Sequence, residues 1–422
     1  MTETNVFELC EPGSFADPLT EVLRNGARAL LAQAVEAELS AWLESHADKQ
    51  TEDGRRRVVR HGHLPERKIM TGIGPVAVRC PRVRDRVGQA RERLCFWSAI
   101  LPRYARRTKS LEVLIPILYL KGISTGAFEE ALSALLGKEA GGLSAATVSR
   151  LKEAWLEEHM RWSKRDLSAK HYVYFWVDGI HVQARLEDDA QCLLVIVGAT
   201  PEGKKELVGL IDGVRESAQS WRELLLDLKR RGLAIAPELA AADGALGFWQ
   251  AVEEVWPKTR GQRCWVHKTA NVLNKLPKSQ HPKAKEALQE IWMAATKADA
   301  LVAFDAFVEA WGIKYEKAVE CLTKDREPLL AFYDFPAEHW KHLRTTNIIE
   351  SVFATVRHRT VRSKGCLSNK TALAMVFKLA EDAEKTSWRR LNGHNQLPKL
   401  ILGVKFADGI EVLRSQAQPA AA

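Results

Sequence analysis

The chain has 422 residues, of which 46% are hydrophobic, and it carries a net charge of +9 at pH 7. A chain of this length can bury large cores and is expected to form two or three domains. No apolar run approaches the length of a membrane span and the first residues do not resemble a signal peptide, so we expect a cytoplasmic protein without membrane contact. The seven scattered cysteines form no Cys-x-x-Cys pair, which argues against a disulfide scaffold or a zinc finger.

The first predicted element is a helix over residues 15–46, within an N-terminal helical segment 1–53. Apolar side chains such as Leu19, Leu23 and Leu30 recur there at helical spacing and form one stripe. The stripe needs a partner, either from this chain or from a second copy.

Positive charge is concentrated in a segment over residues 54–110. Residues 54–109 contain 16 basic and 3 acidic residues, a net charge of +13, so the rest of the chain is −4. Such a segment is typical of a nucleic-acid binder, and the alternative is a solvated, disordered linker. Residues Ile69–Pro81 predict a short hairpin with a Gly-Pro turn, which favours an ordered segment. The arginines expected to contact DNA are Arg55, Arg56, Arg57, Arg82, Arg84, Arg86, Arg106 and Arg107.

Three helices are predicted in the region 111–165. They cover Leu111–Lys121, Thr125–Leu136 and Ser144–His159, with Ser144 as the N-cap of the third. The last two resemble a helix-turn-helix, in which Thr147 and Arg150 lie near the DNA-facing end. Plain helical packing is the alternative, and the adjacent basic segment favours DNA reading.

Residues 171–267 show the rhythm of an α/β sheet. Three antiparallel strands are predicted over Tyr172–Arg185, Gln191–Ala199 and Lys205–Ile211. A helix over Ser217–Arg231 then returns the chain to a strand over Leu239–Ala242. This crossover predicts a mixed sheet, because the returning strand runs parallel to its neighbour.

Two aspartates are the first candidate site residues. Asp178 interrupts an otherwise buried strand, where an ionised carboxylate is costly unless a strong partner such as a divalent cation pairs with it. If the crossover strand pairs with the first strand, Asp243 lies beside Asp178, and two adjacent carboxylates suit Mg²⁺ or Mn²⁺. The alternative for Asp243 is a turn residue before Gly244. We interpret Asp212, at the end of the third strand, as a turn residue away from this pair.

Glu350 is the third candidate. Residues 345–359 predict a helix with Asn347 as N-cap, and in the simplest interpretation Glu350 belongs to a capping-box-like arrangement. Arg357, seven residues later, shares the helix face of Glu350. A carboxylate for metal and a cation for phosphate on one face suit phosphodiester chemistry, and Arg357 and Arg359 are expected DNA contacts.

Four segments, in this order, resemble the mutator-type insertion-sequence transposases: Val177–Ile180, Ala242–Trp249, Arg263–Lys268 and Thr345–Ser351. The likeness covers nearly the whole chain. It implies a DDE catalytic domain with a ribonuclease-H-like mixed five-stranded sheet over 171–267, an all-α insertion over 268–344 and a final part with the Glu helix over 345–413. A mostly helical DNA-binding region containing the helix-turn-helix precedes this domain, and we expect a disordered tail over 414–422.

The resemblance also assigns roles. It implies that Asp178, Asp243 and Glu350 form a catalytic triad that holds two Mg²⁺ (or Mn²⁺) ions for DNA cleavage and strand transfer. The family's Cys/Asp-x-x-His element falls on Cys264 and His267. Its basic residue after the Glu falls on Arg357, and Ile348 departs from the family's usual Pro. The implied partners are double-stranded DNA, as terminal inverted repeats and as target, and a second copy in a homodimer, with the protein associated with the nucleoid.

Several alternatives stay open at this point. Cys264 and His267 are two possible metal ligands, too few for a structural zinc site, so His267 either orients the end of the fifth strand or contacts DNA. Trp292, Trp311 and Trp340 either stack on an unpaired base or pack in a core. The rival functions are a structure-specific nuclease of the same fold and a non-catalytic DNA-binding regulator derived from a transposase.

Overall fold

The computed structural model describes residues 18–87, 93–111, 145–182, 191–213, 217–244, 246–350 and 369–412, together with the single positions 114, 118, 132 and 354. The chain divides into two compact units, Met1–Leu151 and Lys152–Ala422. Among the described residues, no helix combines the length and the apolar character that crossing a bilayer requires.

The N-terminal unit combines one long helix with four short strands. Helix α1 covers Pro18–Glu44, which confirms the predicted helix. The strands form two antiparallel pairs, β1 with β4 and β2 with β3. Their bounds are Val58–His63 for β1, Arg67–Thr71 for β2, Gly74–Val78 for β3 and Pro81–Asp85 for β4.

The β2–β3 pair is the predicted hairpin, but its turn lies elsewhere. Thr71 pairs with Gly74 and Met70 with Pro75, so Gly72 and Ile73 make the turn and Pro75 belongs to the strand. The predicted Gly-Pro turn is therefore wrong by two residues. The C-terminal half of α1 covers this hairpin through Val35, which is buried in a cluster with Ile69, Val76, Val78 and Leu101.

The predicted helix-turn-helix falls largely outside the described residues. Helix α2 covers Ala145–Trp162, in agreement with the third predicted helix. The first two predicted helices, apart from a few single positions, and the proposed N-cap Ser144 lie outside the described part of the chain.

The C-terminal unit contains a mixed five-stranded sheet with the order β7-β6-β5-β8-β9. Strands β5, β6 and β7 are antiparallel neighbours, whereas β8 runs parallel to β5 and β9 runs parallel to β8. This confirms the predicted α/β class and the crossover. The bounds are Tyr174–Val182 for β5, Gln191–Ala199 for β6, Lys205–Gly213 for β7, Leu239–Ala242 for β8 and Arg260–Arg263 for β9.

The crossover helix α3 covers Ala218–Arg230, and local chemistry fixes both of its ends. The side chain of Ser217 accepts a hydrogen bond from the backbone N–H of Ser220 as N-cap. The helix stops before Gly232, whose φ of 100° is one that glycine adopts without strain. One face of α3, with Trp221 and Leu224 among others, packs into the core on one side of the sheet. Helix α4, Leu246–Val255, packs into the same core.

Asp212 lies inside β7 rather than in a turn, because the strand extends to Gly213.

The remaining elements are mostly helical. Residues 347–350, which include Glu350, are also helical. The other helices are α5 (Trp265–Leu273), α6 (His281–Met293), α7 (Lys297–Gly312), α8 (Glu316–Thr323), α9 (Arg326–Leu330), α10 (Trp340–Leu343), α11 (Asn369–Thr386) and α12 (Leu397–Ile401), followed by the hairpin β10 (Phe406–Ala407) and β11 (Ile410–Glu411).

Candidate active site

The sheet register places Asp178 and Asp243 at adjacent positions. Val177 of β5 pairs with Ala242 of β8 in parallel, and the next residue along each chain is the aspartate. Asp178 is only 9% exposed, and its Oδ1 accepts a hydrogen bond of 2.9 Å from the backbone N–H of Gly179. Because side chains alternate along a strand, Asp178 lies on the face opposite the one that Val177 buries against α3.

Asp243 is held in place through its backbone. Its carbonyl oxygen accepts hydrogen bonds of 3.0 Å from Trp249 Nε1 and 3.0 Å from Arg263 Nη1. The Arg263 guanidinium also lies 4.3 Å from the centre of the Trp249 ring, so the two supports hold each other. Arg263 Nε is 3.2 Å from Oδ1 of Asp325, which is buried and also pairs with the buried Lys268.

Sequence reasoning missed this scaffold. Trp249, Arg263 and Lys268 stand inside the segments that carry the family resemblance, so a signal for them was present. Asp325 carried no signal, because a single carboxylate between Lys324 and Arg326 resembles a solvated helix end.

Glu350 is the last residue of a short described stretch of helix, residues 347–350. The carbonyl of Thr346 accepts hydrogen bonds from the N–H groups of Ile349, at 2.9 Å, and Glu350, at 3.2 Å. The N-cap position therefore belongs to Thr346, and the prediction of Asn347 as N-cap is wrong by one residue. Ile349 is buried, which turns this stretch toward the core.

His267 lies beside Glu350. Its Nε2 is 3.6 Å from Oε1 of Glu350. The neighbouring Cys264 raises the pKa of His267 to about 9 against the opposing effect of burial, and Asp178 and Asp243 raise it further. The side chain of His267 thus faces the carboxylate of Glu350.

Cys264 completes the surroundings of His267. It continues β9 by one residue, since its N–H donates to the carbonyl of Ala242 at 2.8 Å, and its side chain is buried. Burial raises the thiol pKa, but hydrogen bonds from His267 and Thr346 outweigh burial and leave the pKa lowered. Donor atoms of Cys264, His267 and Glu350 all lie within 4.8 Å of one another. Glu350 thus adds a third potential metal-ligand atom to the two that the Cys-x-x-His motif contains.

A polar cleft of about 370 Å³ opens beside Asp243. Lys268 and Asn271 of helix α5, three residues apart on one helix face, line it, and Lys275 lines it just after the helix ends. Lys324 adds a further exposed cation. The cleft therefore places Asp243 beside two exposed cations, Lys275 and Lys324.

The arginines predicted to contact DNA do not share one environment. Arg57 donates two hydrogen bonds of 3.0 Å to the buried carboxylate of Asp85, and this pairing holds the pKa of Asp85 well below its usual range. Arg57 is therefore a structural residue of the β1–β4 pair. Arg55, Arg56, Arg82, Arg84, Arg86, Arg106 and Arg150 are exposed, Arg107 is half-buried, and the side chain of Thr147 as well as Arg357 and Arg359 lie outside the described residues.

The three insertion tryptophans pack against other rings. Each is half-buried rather than exposed. These ring contacts favour core packing, and stacking on a base stays a prediction that the structure does not test. The ring-centre distances are 5.2 Å for Trp292 to Trp265, 5.2 Å for Trp311 to Phe307 and 4.8 Å for Trp340 to Tyr333.

The chain is also similar in sequence to known proteins, and this similarity is independent of the sheet and its acidic residues. The sequence profile of the family described as "Transposase, Mutator family" matches residues 3–390, and the chain belongs to this family. It is 54% identical over 289 residues, 67% of this chain and 95% of the relative, to the transposase for insertion sequence element IST2 of Acidithiobacillus ferrooxidans.

Two further relatives extend the likeness. The transposase for insertion sequence element IS6120 of Mycolicibacterium smegmatis is 52% identical over 296 residues, 70% of this chain and 91% of the relative. The transposase for insertion sequence element IS905 of Lactococcus lactis subsp. lactis is 30% identical over 383 residues, 90% of this chain and 93% of the relative. The relatives together cover both compact units.

Proposed function

We propose that the protein is a DNA transposase that binds the terminal inverted repeats of its insertion sequence and catalyses metal-dependent DNA cleavage and strand transfer. The observation that carries the proposal is the convergence of three acids that are far apart in the sequence. The β5–β8 register makes Asp178 and Asp243 neighbours, and Glu350 lies 3.6 Å from His267 of helix α5, which follows β9. The order of three antiparallel strands followed by two parallel ones supports a ribonuclease-H-like fold for this DDE domain.

The donor set fits a hard divalent cation. Asp178 is a buried carboxylate, Asp243 directly follows the strand beside it, and Glu350 lies against His267. Carboxylate oxygens are the ligands that Mg²⁺ and Mn²⁺ prefer, so Asp178, Asp243 and Glu350 would hold two such ions. Bound there, the ions would make a water or a 3′-hydroxyl a better nucleophile and would neutralise charge that develops on the phosphate.

The chain's own residues prepare this site. Trp249 and Arg263 fix the backbone of Asp243, and the imidazolium of His267 holds the carboxylate of Glu350 by charge. His267 in this proposal is a positioning residue for the acids. Phosphoryl transfer of this kind needs no covalent protein intermediate, so a nucleophilic serine or tyrosine is not required.

DNA is held by cations around the site and in the N-terminal unit. Lys275 and Lys324 line the cleft beside Asp243 and suit backbone phosphates. The exposed arginines of the basic segment supply the sequence-independent part of binding. The helix-turn-helix with Thr147 and Arg150 reads the repeats, Arg357 and Arg359 contact phosphates near Glu350, and a homodimer joins the two ends.

Replacement of one acid tests the assignment. We expect Asp178→Asn to lower the cleavage rate of a DNA substrate carrying the element's ends by about a thousandfold, because the amide loses the charge that holds a cation. Binding to the same DNA should stay within about twofold, because exposed cations supply it. Asp212→Asn is the matched control, since Asp212 is exposed on the edge strand β7 and should retain full cleavage.

The reaction products separate this proposal from its rivals. A transposase yields cut ends and joined target DNA, whereas a structure-specific nuclease yields cut ends alone. A DNA-binding regulator binds without cutting and is indifferent to Asp178→Asn. Cleavage by the Asp178→Asn protein at the rate of the Asp212→Asn control would overturn the catalytic assignment.

A further inference from the structure

Exposed aromatic side chains occur at one place in the described part of the chain. Trp97 is 60% exposed and Tyr104 is 84% exposed, whereas the other aromatic residues described are buried or half-buried. Both line the same cavity of about 490 Å³ in the N-terminal unit. A large ring left in water on a folded unit indicates a contact surface.

A cation lies close to both rings. The Arg103 guanidinium lies 4.8 Å from the centre of the Trp97 ring and 5.7 Å from that of Tyr104. The backbone that carries Arg103 and Tyr104 is held by Arg67 of β2, which donates to the carbonyls of Pro102, at 2.7 Å, and Arg103. The display of rings and cation is therefore fixed from below by a second arginine.

The walls of this cavity combine apolar and cationic groups. Leu64, Phe96 and Leu101 supply apolar surface, while Arg82 and Arg103 line the same space. The surrounding segment 54–109 has a net charge of +13. An apolar wall next to cations matches a ligand that is flat and apolar in one part and anionic in another.

A nucleotide has these properties, and the positive charge of the segment favours it over a second copy of the chain. A second copy would bring the same positive segment to the surface and would be repelled. In duplex DNA the faces of each base are covered by its neighbours, so exposed rings gain nothing from an intact helix. An unpaired nucleotide offers a free base for stacking and a phosphate for the arginines.

We propose that the cavity lined by Trp97 and Tyr104 binds an unpaired nucleotide of single-stranded DNA. The base stacks on the two rings, and Arg103 and Arg82 contact the adjacent phosphates. The inference rests on the proposed function in one respect, namely that DNA is the substrate. It adds a second DNA site, in a different compact unit from the carboxylates, that distinguishes single strands from duplex.

Equilibrium binding by the full-length protein tests the proposal. Fluorescence anisotropy is measured with a labelled thymidine oligonucleotide and with a blunt duplex of equal length. We expect Tyr104→Ala to weaken single-strand binding about tenfold, and Trp97→Ala similarly, while duplex binding changes by less than about twofold. Tyr104→Phe keeps the ring and should bind like wild type. Ile313→Ala, which removes a 95% exposed apolar side chain elsewhere, is the surface control.

Salt dependence separates stacking from charge. Tyr104→Ala should leave the slope of log affinity against log salt unchanged, whereas Arg103→Ala should reduce it. Equal losses on single strand and duplex, or no loss for Tyr104→Ala with an unaltered melting temperature, would overturn the proposal. The Asp178→Asn protein should bind the single strand like wild type, so failure of the catalytic assignment and failure of this site give different results.

Discussion

The two compact units present their functional side chains in opposite ways. In the C-terminal unit, Asp178 is 9% exposed and the backbone of Asp243 is held by two side chains. In the N-terminal unit, Trp97, Tyr104 and most of the predicted DNA-contacting arginines are exposed. Chemistry at a phosphate requires groups in fixed positions, whereas contact with a long polymer requires groups that it can reach. Fixed position therefore distinguishes the proposed reaction centre from the proposed binding surface.

Net charge alone overstates the binding surface. Arg57 contributes to the +13 of the basic segment, yet both of its hydrogen-bonding arms are taken up by Asp85. Arg67 likewise holds the loop at Pro102. Arginine thus has two roles in the N-terminal unit, one that builds the fold and one that faces solvent.

The strongest test of the comparison disturbs the catalytic edge without touching a charge. Gly261 of β9 has no room for a side chain, because a Cβ there would lie 2.7 Å from Cζ3 of Trp249. We expect Gly261→Ala to displace the ring that donates to Asp243, to lower cleavage about a hundredfold and to destabilise the unit by about 1–3 kcal/mol. Cleavage rates and urea unfolding of the full-length protein measure the two effects.

Gly312→Ala is the matched control, because a Cβ at Gly312 meets nothing within 4 Å. That variant should keep wild-type cleavage and stability. A Gly261→Ala protein with normal cleavage would show that the Trp249 support is not needed to fix Asp243, and the contrast between a rigid centre and an accessible surface would lose its main support.

Sequence patterns were sufficient for the sheet. The strand patterns and the predicted crossover helix over Ser217–Arg231 are local signals, and together they predicted β5 to β8 and the adjacency of Asp178 and Asp243. The Gly-Pro turn was wrong because Pro75, with no N–H to donate, still fits a short hairpin strand. Local rules predict elements well and their ends less well.

The contacts between distant residues were not predictable. Asp325 supports Arg263 across an ion pair between residues 62 positions apart, and nothing in the sequence around Asp325 differs from a solvated helix end. The sequence placed His267 in the Cys-x-x-His motif but did not predict Glu350 as its partner. The distance between these two residues depends on how the helices of the insertion pack. Exposure of Trp97 and Tyr104 likewise requires the folded surface, because an aromatic residue in a sequence is usually buried.

Binding near the catalytic edge gives a second, smaller test. Lys275 and Lys324 are exposed cations in an otherwise polar cleft beside Asp243. We expect the double variant Lys275→Ala/Lys324→Ala to weaken DNA affinity about tenfold and to reduce the salt slope by about 2, because each lysine neutralises about one phosphate. Anisotropy titrations at several salt concentrations measure both quantities.

Lys314→Ala/Lys317→Ala serves as a control of equal charge on another part of the insertion. An identical loss for both pairs would mean that only net charge matters, and the cleft would have no special part in holding DNA. A loss of DNA affinity confined to the Lys275→Ala/Lys324→Ala variant would show that the accessible binding surface reaches the edge of the reaction centre.

We expect the smallest effect from acid, which should destabilise the two units at different pH values. Burial, together with Lys205 and Lys341, lowers the pKa of His342 in the C-terminal unit from 6.5 to about 4. The free energy of unfolding is therefore unaffected by His342 above pH 6.5 and decreases as the pH falls from 6.5 toward 4, because the unfolded chain takes up the proton first. Asp85 of the N-terminal unit has a pKa lowered from 3.8, so its contribution persists until the pH falls below about 4.

Between pH 7 and pH 5 we therefore expect the C-terminal unit to lose about a few degrees of melting temperature while the Arg57–Asp85 pair stays intact. Hydrogen exchange followed separately in β5 and in β4 measures the two responses. His342→Gln should flatten the pH dependence of β5 only in part, since burial also lowers the pKa of His159 and His339 in the same unit. An equal loss of protection in β4 would contradict the assignment of acid sensitivity to buried histidines, because neither Arg57 nor Asp85 changes charge in that range.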